Sequence, residues 1–394
     1  MSLSAFSPLL PDPLLGLSEQ FRADHRPGRM DLGVGVYRDE FGQTPVFAAV
    51  KAAERLLLEQ QDSKAYLGSE GDRAFVDLLG NAALGSDLGL RGLQTVGGTG
   101  ALRIAADVLG RCGTPRRLWL GTPSWPNHAP IFSAAGLRVE TYPLWDSACS
   151  RFRPEAVLDV LDRALPGDVV LIQPSCHNPT GVDPDPALAA IIAREVAQRG
   201  LILMLDMAYQ GIGAGWDADA AAARAMIDAV PEVLVAYSCD KNFGLYRDRV
   251  GALYAKAESA LATEILWGHF VAAARASYSM PPDHGAAVVR SILSDPALEQ
   301  EWRAELDAMR RRIDGLRARL AGQGQVGVID LAPIATGRGM FAMLPVSATQ
   351  VETLRQRHGI YMAQSGRLNI AGLAEANVAA FAEALHAIQL EDAA

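Results

Sequence analysis

Four short stretches of this chain carry residue types that could do chemistry together. Lys241 stands in Ser238-Cys239-Asp240-Lys241-Asn242-Phe243-Gly244, with Arg249 shortly after. Asp206 ends the apolar run Leu201–Asp206, and His177-Asn178-Pro179-Thr180-Gly181 follows Gln173. Val96-Gly97-Gly98-Thr99-Gly100-Ala101-Leu102-Arg103 runs glycines straight into a helical pattern. Bare glycines let backbone N–H groups approach a phosphate, and a helix N-terminus favours the anion. The run is neither G-x-G-x-x-G nor a P-loop, so neither a dinucleotide nor ATP is indicated. Taken singly, each stretch has a plainer reading: a cap, a turn, a surface lysine. Together they describe a lysine near a phosphate site beside an Asp-ended strand. That combination suggests pyridoxal phosphate, with the lysine for a Schiff base and the aspartate for the pyridinium nitrogen.

Such groups need elements that bring them to one place. Apolar runs at 117–121, 168–173, 201–206 and 233–238 read as strands buried on both faces. Helical spacing at 126–135 and 185–199 alternates with them, and the last three strands begin at 168, 201 and 233, as βαβ units do. A mostly parallel sheet with helices on both faces follows, and its ligands sit beyond the carboxyl ends of the strands. A long helix is expected from Pro296 to Leu320, with an inward stripe of Trp302, Leu306, Met309, Ile313, Leu316 and Leu320 and a solvated face at Arg310-Arg311-Arg312. Short strands (326–331, 339–344, 367–370) and helices (348–358, 374–388) then form a smaller α+β unit, with which the segment up to Thr44 is expected to pack.

The bulk numbers narrow the setting. In 394 residues, 36 Lys plus Arg face 45 Asp plus Glu, a formal charge of -9. That balance argues against a general nucleic-acid or anionic-membrane surface. With 49% apolar and 21% charged residues the chain has the makings of a large core. The four cysteines (Cys112, Cys149, Cys176, Cys239) form no C-x-x-C pair, so neither a metal site nor a disulfide frame is expected. The first residues lack a positive n-region and no run reaches the ~18 apolar residues of a membrane span, so a cytoplasmic location is expected.

In family order, the chain also carries Leu32-Gly33-Val34-Gly35-Val36-Tyr37, Tyr66-Leu67-Gly68, Gly97-Gly98-Thr99-Gly100 and Pro123-Ser124-Trp125-Pro126-Asn127-His128. His177-Asn178-Pro179-Thr180-Gly181, Asp206-Met207-Ala208-Tyr209-Gln210-Gly211 and Lys241-Asn242-Phe243-Gly244-Leu245-Tyr246 follow. Arg275-Ala276-Ser277-Tyr278-Ser279 and Ser365-Gly366-Arg367-Leu368-Asn369-Ile370 complete the set. With these motifs the sequence resembles the class I pyridoxal-phosphate aminotransferases, in their aspartate and aromatic amino acid branch. The resemblance implies an α/β protein of the pyridoxal-phosphate-dependent transferase fold type I: a large domain with a mostly parallel sheet, plus a smaller α+β domain. It implies an N-terminal arm over 1–14, a small domain from 15–45 and 310–394, and a large cofactor domain over 46–309.

The resemblance also implies roles. Lys241 holds the cofactor and shuttles a proton, and Asp206 keeps the pyridine nitrogen protonated with His128 behind it. Trp125 stacks on the ring, while Asn178 and Tyr209 bond its phenolic oxygen. Gly98, Thr99, Ser238 and Arg249 grip the phosphate, joined by Tyr66 from a second subunit. Arg367, with Gly35 and Asn178, clamps the substrate α-carboxylate, Arg275 reaches across a homodimer to a distal carboxylate, and Phe341 lines the pocket. The implied reaction moves amino groups of aspartate or aromatic amino acids to 2-oxoglutarate by a ping-pong route. Alternatives are a lyase or decarboxylase on the same fold, or a catalytically impaired relative. A ligand sensor would bring a DNA-binding segment for which the chain has no basic stretch.

Four positions depart from the family pattern. Asp240 replaces a small or hydroxylated residue and threatens phosphate binding unless it turns away or pairs with a cation. Gln173 stands where histidine is frequent, so the hydrogen-bond chain behind Asp206 is expected to be shorter. Met280 and Ala65 replace asparagines of aspartate-specialised members, which leans the rim toward aromatic substrates, although Thr44 and Thr99 are as in the aspartate type.

Overall fold

The computed structural model describes residues 13–112, 116–146 and 151–391. Most of the expected N-terminal arm, and Cys149, lie outside the described residues. Seven strands form the central sheet: β1 (Arg91–Val96), β2 (Arg117–Thr122), β3 (Arg138–Pro143), β4 (Val169–Ile172), β5 (Ile202–Met207), β6 (Val233–Ser238) and β7 (Val250–Lys256). Their order is β1-β7-β6-β5-β4-β2-β3, and only β7 runs against its neighbours. The four strands expected from the sequence are present, and the mostly parallel sheet is confirmed.

Alternation along these strands builds two apolar layers. Ile202 and Met204 face one layer, with Leu234, Ala236 and Leu171. Leu203, Leu205 and Met207 face the other, with Val235, Tyr237 and Val170. Both faces are therefore covered, which is why the strands read as unbroken apolar runs. Helix α1 (Gly97–Gly110) packs on the first layer, where Ala101, Leu102 and Ala105 are buried. Its mouth sits directly on the sheet. A Cβ on Gly251 of β7 would lie 2.6 Å from the carbonyl carbon of Gly97 and 2.5 Å from the Tyr237 oxygen, so only glycine permits this approach.

On the other side, α2 (Pro186–Gln198) and α3 (Trp216–Ala229) follow β4 and β5. In the first turn of α3, buried Asp219 accepts from the backbone N–H of Gly211 and Gly213 at 2.8 and 2.9 Å and of Ala214 at 2.6 Å. It thereby pins the loop that follows Tyr209. Asp219→Ala leaves buried donors unpaired and is expected to cost about 3 kcal/mol, read as a lower denaturation midpoint in urea.

Helix α4 spans Ala260–Tyr278, and α5 spans Pro296–Ala321. Asp295 caps α5 by accepting from Ala297 and Leu298 N–H, and every residue of the expected stripe is buried. Trp302 stacks on Phe243 at 4.2 Å between centroids and donates its indole N–H to the Asn242 carbonyl at 2.8 Å. Arg317, unanticipated, is 2% exposed and donates to the carbonyls of Ile334, Arg338, Gly339 and Phe341. The arginine run is only in part a solvated face. Arg310 and Arg311 pair with Asp307, but Arg312 turns inward to the Leu373 carbonyl and over the Tyr37 ring.

Beyond α5 the strands are shorter than expected: Phe341–Met343 pairs antiparallel with Arg367–Asn369, and Ile360–Tyr361 pairs parallel with Met30–Asp31. The early segment is tied further by Arg26, which donates to the Arg355 and Gln356 carbonyls. No helix among the described residues is long and apolar enough to cross a membrane.

Candidate active site

Because β7 alone is antiparallel, it begins where β4, β5 and β6 end. Arg249, just before β7, and Gly97, just after β1, thus meet at the carboxyl rim of the sheet. A cavity of about 230 Å³ opens there. Gly98, Thr99, Ser238, Arg249, Lys241 and Asp206 line one part, and Trp125, Asn178, Tyr209, Gly35, Phe341 and Arg367 line the rest. Sequence reasoning named each of these. It did not name Leu102 and Ala208, which also line the cavity; apolar types inside a motif give no chemical signal.

Lys241 follows β6, and burial lowers the pKa of its amine from the usual lysine range. Arg249 acts in the same direction, while Asp240, 3.9 Å away, and Asp206 oppose it. On β5, Asp206 Oδ2 lies 2.9 Å from His128 Nε2, and His128 Nδ1 lies 2.7 Å from Ser124 Oγ. A carboxylate can only accept, so Nε2 carries a proton toward Asp206, and Nδ1 shares a hydrogen bond with the Ser124 hydroxyl. His128 is fully buried and meets Trp125 edge-on at 5.2 Å. Ser124 was missed as a contributor, though its position four before His128 was a usable hint. The chain behind Asp206 excludes Gln173. That side chain accepts from the Asn178 N–H at 2.6 Å, and its Nε2 is buried without a partner.

One end of the cavity is built on the mouth of α1. Gly97 has φ +64°, and a Cβ there would lie 2.7 Å from an Arg249 nitrogen. A Cβ on Gly98 would lie 3.0 Å from that of Ser238. Asp240 does not turn away. It is 4% exposed, lines the cavity and pairs with Arg249.

At the opposite end, Arg367 is buried beneath the cavity. One amino group donates to the Gly33 carbonyl at 2.6 Å, another reaches Asn178 Oδ1 at 3.4 Å, and Nε is buried without a partner. Its guanidinium lies 4.8 Å from the Phe341 ring centre, and among the described residues no carboxylate acts on it. A Cβ on Gly35 would lie 2.9 Å from Phe341 Cζ, which keeps that floor open only to glycine. Asn178 Nδ2 donates to the Tyr209 hydroxyl at 3.2 Å, and burial raises the pKa of that phenol well above its usual range. His177 is turned to Thr180, Nδ1 to Oγ1 at 2.8 Å, and burial pushes its pKa down to about 3. It braces the turn instead of facing the cavity.

Two expected site residues stand apart. Tyr66 is 94% exposed, and Arg275, in the last turn of α4, is exposed too; neither lines this cavity. The Leu67 N–H lies 3.2 Å from the Met280 sulfur, which ties the segment after Tyr66 to the chain just beyond α4. Among the described residues no group of three or more His, Cys, Asp or Glu could hold a metal ion.

Residues 27–385 match the family model "Aminotransferase class I and II". The chain is 52% identical over 374 residues to a tyrosine aminotransferase of Rhizobium meliloti, covering 94% of this chain and 96% of that one. It is 42% identical to an aspartate aminotransferase of Escherichia coli, covering 96% and 97%. Among solved structures, an aromatic-amino-acid aminotransferase from Burkholderia pseudomallei, covalently bound to pyridoxal phosphate, superposes with a TM-score of 0.94 at 37% identity, covering 98% and 100%.

Proposed function

The chain belongs to the class I and II aminotransferases, and from that premise we propose that it moves the α-amino group of aspartate and of aromatic amino acids to 2-oxoglutarate in a ping-pong cycle. Its cofactor is pyridoxal phosphate, and the cavity fits that group. The fit rests on three observations: a largely covered amine with a lowered pKa, a glycine cup facing Arg249, and a buried carboxylate braced by His128. When bound, pyridoxal phosphate supplies the electron sink for the bonds at the substrate's α-carbon.

The protein's own groups do the rest. Asp206 would accept the N–H of the pyridine ring, with the Ser124–His128 relay keeping its carboxylate aimed. Trp125 would pack on the ring, and Asn178 and Tyr209 would serve its phenolic oxygen. Gly98, Thr99, Ser238 and Arg249 would hold the phosphate. Lys241 Nζ would attach the cofactor and, when free, would carry the proton from the substrate's α-carbon. Its lowered pKa favours the uncharged amine that both tasks need.

The observation that carries the substrate class is Arg367. A buried guanidinium without a carboxylate calls for an anion from outside, and its fork matches a carboxylate in two parallel bonds. The α-carboxylate of an amino acid meets that need with Lys241 in the same cavity. Phe341 and the small Gly35 shape the wall beside it.

The reading extends to a cytoplasmic homodimer with a small domain from 15–45 and 310–394, a large one over 46–309, and shared sites. Tyr66 and Arg275, exposed on one copy, complete the partner's cavity, Tyr66 at the phosphate and Arg275 at a distal carboxylate. Turnover of Asp, Glu, Phe, Tyr and Trp with 2-oxoglutarate, followed by product analysis, tests the assignment. A keto acid and a new amino acid support it, and ammonia or carbon dioxide as the main product rejects it. Arg275→Leu is expected to lower kcat/KM for Asp about 10²–10³-fold while sparing Phe. Equal loss for both would refute the distal role.

A further inference from the structure

The phosphate cup holds a carboxylate that its anion does not need. Asp240, beside Lys241, lines the same cavity end as Gly98, Thr99, Ser238 and Arg249. Its Oδ2 is on Arg249. Its Oδ1 is buried without a hydrogen-bond partner and lies 3.6 Å from where a Cβ on Gly97 would stand, at the mouth of α1. A phosphate in this cup has to share one guanidinium with that carboxylate. With Arg249 and Lys241 as the cations beside Asp240, a phosphate dianion and this carboxylate would repel each other, and a shared proton would relieve that repulsion. A proton between them also satisfies Oδ1, either as donor to a phosphate oxygen or as acceptor from one.

We propose that this cup takes up the phosphate of its cofactor together with one proton from solvent, held between Asp240 and the phosphate. The proposal rests on the cavity being the pyridoxal-phosphate site. Attachment at Lys241 is a separate step, in which the amine and the cofactor's aldehyde would form a C=N bond and release water. The other charged or titratable groups around Asp240 are Arg249, on the segment before β7, Lys241 at 3.9 Å, and its neighbours Tyr246 and Cys239. Asp206 acts on Lys241 from β5. Asp240 also raises the pKa of Lys241, so each comparison is repeated in a Lys241→Ala background, where the lysine's own proton drops out.

The test is calorimetric titration of the full-length apoprotein with pyridoxal phosphate, at pH 7.5 and 8.5, in buffers of different ionisation enthalpy. Wild type, Asp240→Asn and Asp240→Ser are compared. The free phosphate is a dianion in this range, since its second pKa is about 6. Wild type is expected to take up about one proton per site more than either variant. Its Kd should rise about tenfold between the two pH values relative to theirs, the slope that one linked proton gives. Binding by all three proteins with equal proton uptake and parallel pH dependence would overturn the proposal and leave the site assignment standing. Failure of wild type to bind pyridoxal phosphate would overturn both.

Discussion

Lys241→Ala is expected to lower transamination by about 10⁴-fold or more, the range seen when a nucleophile that is also the proton carrier is removed. Asp240 and Asp206, the acidic groups of the cavity, are engaged by Arg249 and His128. The Tyr209 phenol is held protonated by burial, and His177 faces Thr180. Lys241→Arg separates the two duties of the residue. A guanidinium keeps the positive charge but does not give up its proton in a protein, so it should fail as completely as alanine. Both variants should also lose the visible absorbance of the lysine-bound cofactor. An enzyme that retains that band, or a tenth of its turnover, in either variant would refute the assignment of Lys241. Because the residue sits in a loop at the cavity and not in either apolar layer, the thermal midpoint of the apoprotein should change little.

The second large effect is expected at Asp206. Asp206→Asn preserves size and leaves a side-chain oxygen for His128, but removes the charge opposite the ring nitrogen. Loss of a buried charge pairing at that point should cut kcat about 10³-fold, equivalent to about 4 kcal/mol. The neighbouring Ser124→Ala acts only through His128, which would still hold Asp206 at Nε2. It is expected to cost about tenfold or less. A steady-state comparison of kcat in the two variants checks the ordering. Similar losses in both would mean that the relay, and not the carboxylate charge, dominates.

These effects fall on residues that were readable before any coordinates. Asp206 lies near the end of a strand buried on both faces, Lys241 and Asn178 follow such strands, and these strands announce themselves by unbroken apolarity. β1, β3 and β7 were not anticipated, because β1 and β3 at the sheet edges carry polar residues such as Gln94 and Glu140, and Gly251 interrupts β7. Missing β7 hid the reason Arg249 belongs to the site, which is the reversal of one strand. Arg317 was illegible for a different cause. Arginine at a helical position reads as surface, and only the tertiary fold supplies the cluster of carbonyls that takes it inside. Asp240 shows the limit most clearly. Its type and position raised a conflict with phosphate, but only side-chain geometry shows the pairing with Arg249.

The 26-residue helix α5 has a consequence for how this enzyme can diversify. At one point Trp302 holds the carbonyl of Asn242, next to the lysine; at another Arg317 holds the carbonyls of Gly339 and Phe341, the wall beside Arg367. Fifteen residues of α-helix separate the two anchors, a span of about 22 Å. The helix therefore acts as a ruler between the segment of Lys241 and the wall formed by Phe341. Spreading the cavity for a bulkier amino acid would mean breaking one anchor. New specificities are reached more cheaply by exchanging side chains on a frame of constant gauge.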